Sequence, residues 1–280
     1  MTDNNREVDI LSFFKELLKR FLHDEVAGLS AQLAYFFLLS LFPFLLFLIT
    51  LIAYLPLTQE DVLGTISEFA PGESVAIIEE SLNQIIEQKN GGLLSFGVIA
   101  TLWSASNGIN SIVRAFNRAY GVEETRSFFA SRLMAIFLTI AMVFIIVLAL
   151  LLPVFGREIG LLISSHFGLS TEFLTLWNTL RWFLSAIILF IVFTALYFFA
   201  PNKRLHIKDG IPGAFAATIG WILVSLAFSY YVGNIANYSA TYGSIGGIIV
   251  LMIWFYLSGM ILIFGGELNA MLYKRKKELI

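Results

Sequence analysis

The chain contains no cysteine, so it can form no disulfide and offers no thiol nucleophile or thiolate ligand. Histidine is nearly as scarce. The three present, His23, His166 and His206, are far apart, and none stands in a ligand spacing such as H-x-x-x-H. A histidine-based metal site is not expected, and neither is any cofactor. Charge is also sparse, at 14% of 280 residues, where soluble domains carry about a quarter. The net charge of −2 leaves no basic excess of the kind that binds nucleic acid. No low-complexity tract, second soluble domain or internal repeat stands out. Nor does a cleavable signal peptide. The first residues are acidic (Asp3, Glu7, Asp9), and the first long apolar run begins near Ala31 and is too long for a signal core.

What fills the chain instead is apolar. Hydrophobic residues make up 58%, with 27 phenylalanines, more than a water-soluble fold of this length can bury. A helix needs about 20 apolar residues to cross a hydrocarbon core. Six stretches qualify: Ala31–Leu55, Leu93–Val113, Leu133–Phe155, Trp182–Ala200, Gly213–Ile235 and Ser244–Phe264. Each is apolar throughout, whereas a barrel strand would alternate over about ten residues. The expected fold is all-α, a polytopic membrane protein with six transmembrane helices.

Orientation follows from lysine and arginine. Of 18 such residues, 15 fall in the N-terminal segment, the second-to-third and fourth-to-fifth connections, and the C-terminal tail. Only Lys89, Arg157 and Arg181 fall on the other side. Both termini are therefore expected in the cytoplasm, with the chain multi-pass in the cytoplasmic (inner) membrane. The expected division is a cytoplasmic amphipathic segment over residues 1–30, a six-helix domain over 31–270 and a basic tail over 271–280.

Two segments lie outside the spans. In Ile10–Leu22, Ile10, Phe14, Leu17, Leu18 and Phe21 recur at helical spacing, which predicts an interfacial amphipathic helix. The external connection, about residues 57–92, carries seven acidic residues. Its stretch PGESVAIIEESLNQIIEQ places Val75, Ile78, Leu82, Ile85 and Ile86 on one stripe, predicting a helix in this loop.

The polar residues near the spans are the candidates for chemistry. Asn107, Asn110, Arg114 and Asn117 are spaced by three, four and three, so they share a helix face. With Arg118, this face reads either as a polar seam leading to an arginine pair suited to an anion, or as interhelical hydrogen bonding with positive-inside anchoring. Glu267 and Asn269 stand in IFGGELNA at the end of the last span: a helix starting at Ser244 puts Glu267 about one turn beyond the apolar edge, and one starting after Gly246-Gly247 puts it deeper. A carboxylate near lipid needs a partner, and topology offers Arg114 or Arg118. A salt bridge there would serve as a proton-sensitive latch or as a fixed clamp. Pro43 should kink the first span, and Pro212-Gly213 should open the fifth. Gly243 and Gly247 form a G-x-x-x-G pair expected to pack. Lys203, Arg204, His206 and Lys208 face anionic lipid headgroups or simply fix orientation.

Four stretches together resemble the YihY/virulence-factor BrkB family of bacterial inner-membrane proteins. They are LAYFFLLSLFPFLLF, SNGINSIVRAFNRAYGVEETRSF, DGIPGAFAATIGWILVSLAFSYYV and NYSATYGSIGGIIVLMIWFYLSGMILIFGGELNA. The resemblance covers nearly the whole chain and implies six membrane helices. Some members carry an old ribonuclease BN label, and others are linked to envelope lipid export or lipopolysaccharide transport. The residues here do not support a nuclease. A metal-dependent one needs clustered histidines and carboxylates, and no Ser-His pair offers a nucleophile. No enzyme activity is expected. The function expected is a transporter or flippase-like exporter of an amphiphilic or lipid-like molecule, with membrane lipids as partners. The alternative is a non-transporting envelope scaffold or regulator. Candidate binding residues are Asn107, Asn110, Arg114, Arg118, Glu267 and Asn269.

Overall fold

The computed structural model describes residues 10–52, 91–168, 171–234 and 245–278. Among them are seven helices: α1 (Ile10–His23), α2 (Val26–Ile52), α3 (Gly91–Tyr120), α4 (Phe128–Phe167), α5 (Thr171–Phe199), α6 (Ile207–Asn234) and α7 (Gly246–Glu278). No strand occurs among the described residues. The helical loop expected over residues 57–92 and the segment holding Tyr238, Tyr242 and Gly243 lie outside them, apart from the start of α3.

Five helices contain stretches long and apolar enough to cross a membrane: Val26–Phe47, Gly91–Tyr120, Leu176–Phe199, Ile207–Asn234 and Gly246–Glu278. The third predicted span falls within the 40 residues of α4, whose stretch Phe128–Val143 is apolar. The all-helical, polytopic architecture is thus present. The helices run past the apolar runs read from the sequence at one end or both, because backbone hydrogen bonding continues where the lipid requirement stops. Many of their apolar side chains, such as Phe42, Phe137, Phe183 and Leu226, point outward and are exposed. That is the arrangement of helices solvated by lipid.

The chain divides into two compact units. One holds residues 36–105, the other residues 1–35 with 106–280. In the first, α2 continues through Pro43, and Gly97 lets α3 approach α2 closely, since a Cβ there would stand 2.9 Å from Phe47 Cβ.

The larger unit places α6 against α7, α5 against α6, α4 against α5, and α1 against α7. Its helix ends gather in one basic end. There α3 stops in a glycine cap: Gly121 takes a left-handed φ of 63°, its N–H bonds Arg118 O at 2.9 Å, and Val122 N–H bonds Asn117 O at 2.9 Å. The connection onward is locked to the α5–α6 connection by asparagines. Asn117 donates to Glu124 at 2.9 Å and accepts from Asn202 N–H at 2.7 Å, and Asn202 donates to Glu123 O and Thr125 Oγ1, each at 2.9 Å. α6 starts at Ile207, earlier than Pro212-Gly213. Asp209 reaches back to the His206 N–H at 3.0 Å and caps the helix there, so Pro212 lies inside it.

Small residues set the interhelical distances. Gly213 faces the Gly265 carbonyl and the Asn269 amide, Gly265 faces the Tyr197 hydroxyl, and Gly266 faces the Phe116 ring. A Cβ on Gly259 would stand 2.9 Å from Leu33 Cδ2. Gly247, expected to pack, meets no atom within 4 Å and is exposed. Gly213→Ala should therefore destabilise the fold by about 1–3 kcal/mol through overpacking. Gly28→Ala, at a helical position with open space, should stabilise it by about 0.5–1 kcal/mol. Thermal denaturation of the two variants in the same detergent checks both signs.

Candidate functional site

IFGGELNA lies at the centre of the basic end. Ile263, Gly265, Gly266, Glu267, Asn269 and Ala270 are all buried. Tyr197 donates to Leu262 O at 2.8 Å and lies 5.2 Å from the Phe116 ring, so α3, α5 and α7 converge here. Asn269 accepts from Gly213 N–H at 2.6 Å and donates to Gly210 O at 3.1 Å. Pro212, between those two glycines, removes one amide donor from the turn, and the Asn269 side chain serves the backbone on either side of it. Asn269 is thus a clamp between α7 and α6.

Glu267 is different. It is 1% exposed, and neither carboxylate oxygen has a hydrogen-bond donor. The expected salt bridge to Arg114 or Arg118 is not formed. Arg118 is held by Glu25 and by Asp24 O, both at 3.0 Å, and Arg114 by Gln32 at 2.6 Å and Ser111 at 2.9 Å. Each arginine found a nearer partner on α2 or in the turn before it. Another acid, Asp24, lies within hydrogen-bonding reach of Glu267, and Arg20 and Lys274 lie within electrostatic range without bonding it.

Asp24 owes its place to the tight turn between α1 and α2. Its N–H bonds Arg20 O at 2.8 Å, and Glu25 follows with a left-handed φ of 54°, the one such non-glycine among the described residues. That conformation costs a residue with a Cβ about 1–2 kcal/mol. It turns the chain so that Asp24 is 7% exposed, with Oδ1 2.9 Å from His23 Nδ1. Beyond it, Tyr120 has a buried hydroxyl without a partner, and Lys203 lies over the Tyr120 and Tyr273 rings at 5.4 and 4.8 Å.

The shared face of Asn107, Asn110, Arg114 and Asn117 does not open on a single cavity. Asn107 accepts from Arg132 at 2.6 Å, Arg114 bonds Gln32, and Asn117 bonds the connections, each toward a different element. Asn110 is half-buried and joins none of these bonds. Asp24, Gln32, Ser111 and Asn202 complete the network. Asp24 stands in the break HDE between the amphipathic segment and the first span, on the side of the membrane the charge pattern assigns to Glu267.

α1 carries two apolar faces. Leu17 is buried, and Phe21 packs 6.5 Å from Phe264, whereas Phe14, Leu18 and Leu22 are exposed. The helix is pinned by Glu16, which accepts from Arg275 at 2.7 Å and Arg20 at 3.3 Å. The hydrogen bond from Arg275 holds the Glu16 carboxyl below its usual value of 4.5. The contribution of this pair is complete above the ordinary glutamate range and is lost as pH falls through the lowered value. Hydrogen exchange in α1 should therefore accelerate on acidification below about pH 4, a range set by ordinary carboxyl titration. Arg275→Gln should weaken that dependence. Asn269→Ala, which strands a buried N–H and a buried C=O, should cost roughly 2–4 kcal/mol in thermal denaturation.

Residues 17–279 match the family described as Virulence factor BrkB. The ribonuclease-like protein YfkH of Bacillus subtilis (strain 168) is 62% identical, the alignment covering 95% of this chain and 97% of that protein. A UPF0761 membrane protein of Vibrio parahaemolyticus is 30% identical over 94% of this chain and 82% of its own length. One of Haemophilus influenzae is 26% identical over 91% and 92%. No solved structure matches. With its helical membrane architecture and a match over nearly its full length, the chain belongs to the virulence factor BrkB family of membrane proteins.

Proposed function

We propose that this protein moves a lipid-like or amphiphilic molecule across the cytoplasmic membrane, with both termini in the cytoplasm. One observation carries the reading: Glu267 is buried in a helix bundle with no donor on either oxygen. An acid in such a place is costly, and a purely structural bundle has no need of it. An amphiphilic cargo is supported by the apolar groove of about 380 Å³ beside α1 and α7, lined by Phe14, Leu17, Leu18, Phe21 and Phe264. It lies beside the exposed lysines Lys15 and Lys19, which suit an anionic headgroup. No step of this reading requires an enzyme.

A second reading, a non-transporting scaffold, is favoured by a different observation. Asn107, Arg114, Arg118 and Asn269 each hold a hydrogen bond to another part of the same chain. The two separate in proteoliposomes containing a short-chain fluorescent phosphatidylglycerol. A transporter should accelerate its movement between leaflets, and Glu267→Gln should slow that movement at least tenfold while leaving the melting temperature near wild type. Movement at the protein-free rate would favour the scaffold.

A further inference from the structure

We propose that Asp24 and Glu267 form a binding site for one proton, shared between their two carboxyl groups at the basic end of the bundle. Ionised carboxylates are acceptors only. Two of them facing each other in a buried site would repel and would leave Glu267 with no donor at all, which is how its oxygens stand. A single proton removes both difficulties. Protonated Glu267 donates to Asp24, which lies within hydrogen-bonding reach, and one negative charge remains on the pair instead of two.

The surroundings fit a single residual charge. From α1, Arg20 lies within electrostatic range of Glu267, and His23 bonds Asp24 Oδ1 at 2.9 Å. From α3, Arg118 binds the Asp24 carbonyl rather than its carboxyl, and Tyr120 keeps a buried hydroxyl without a partner. From α7, Lys274 lies within electrostatic range. None of these groups donates to Glu267. His23, which bonds Asp24, has a side chain that is 81% exposed, so the Asp24 side of the pair connects to the surface. The strained left-handed Glu25 holds Asp24 in this place, and strain of this kind persists where the surrounding structure fixes it.

The transport role of the site rests on the function proposed above, whereas the proton site itself does not. Infrared spectra of the full chain in lipid nanodiscs, titrated in potassium and in choline buffers, test it. The wild type should show a protonated-carboxyl carbonyl band at neutral pH in both buffers, and Glu267→Gln should remove it. Asp24→Asn should keep the band but shift its frequency, because the proton on Glu267 then donates to an amide oxygen instead of a carboxylate. A neutral-pH spectrum without a Glu267-dependent band would overturn the site. So would a band that appears only in choline, which would mark a bound alkali cation instead. If Glu267→Gln does not fold, Asp24→Asn decides alone: an unshifted band overturns the shared proton. The band present without lipid movement defeats transport and leaves the proton site standing, and lipid movement without the band does the reverse.

Discussion

Two helix backbones approach only as far as their side chains allow, and the basic end of this protein depends on how far α6 and α7 are allowed to come. Gly213 and Gly265 bring the two backbones together, and Asn269 then bonds the α6 backbone on both sides of Pro212. With the helices at that distance, Tyr197 reaches the Leu262 carbonyl and Phe116 packs on Gly266. Glu267 lies between these contacts, on the same helix, and is therefore buried whether or not burial suits a carboxylate. Membrane bundles gain little from apolar burial between helices, so close packing at small residues and buried hydrogen bonds carry the association.

That constraint explains the division of labour among the polar residues. Asn117 and Asn202 lock two connections, Arg114 and Arg118 fix α3 to α2 and the preceding turn, and Asn107 takes Arg132. Each is a two-sided contact with a clear structural reward. Glu267 has no such partner, which sets it apart from its neighbours.

Much of this architecture is legible in the sequence. Each of the six apolar runs overlaps one helix over most of its length, and the amphipathic period of Ile10–Leu22 marks α1 to within a residue. Asn107, Asn117 and Arg114 are visible as one face, because helical spacing is a local property. Their partners are not visible, since Gln32, Arg132 and Asn202 come from distant parts of the chain. The Glu267–arginine pair fails for the same reason: charge and topology place Arg114 and Arg118 on the correct side, but distance is settled by packing. Gly243–Gly247 shows the limit of a spacing motif, since Gly247 meets nothing, while Gly213 and Gly265, 52 positions apart, make the close contact. Asp24 looks like an ordinary helix-break acid until the left-handed Glu25 turns it inward.

The central claim is that Glu267 is neutral because it shares a proton with Asp24. An experimental structure at neutral pH, resolved well enough to place carboxyl oxygens, tests it most directly. The account predicts an oxygen–oxygen separation of about 2.5–2.7 Å between the two side chains, the length of an O–H···O⁻ bond. A Glu267 carboxylate turned onto Arg20 or Lys274, or a cation seated between the two acids, would contradict it.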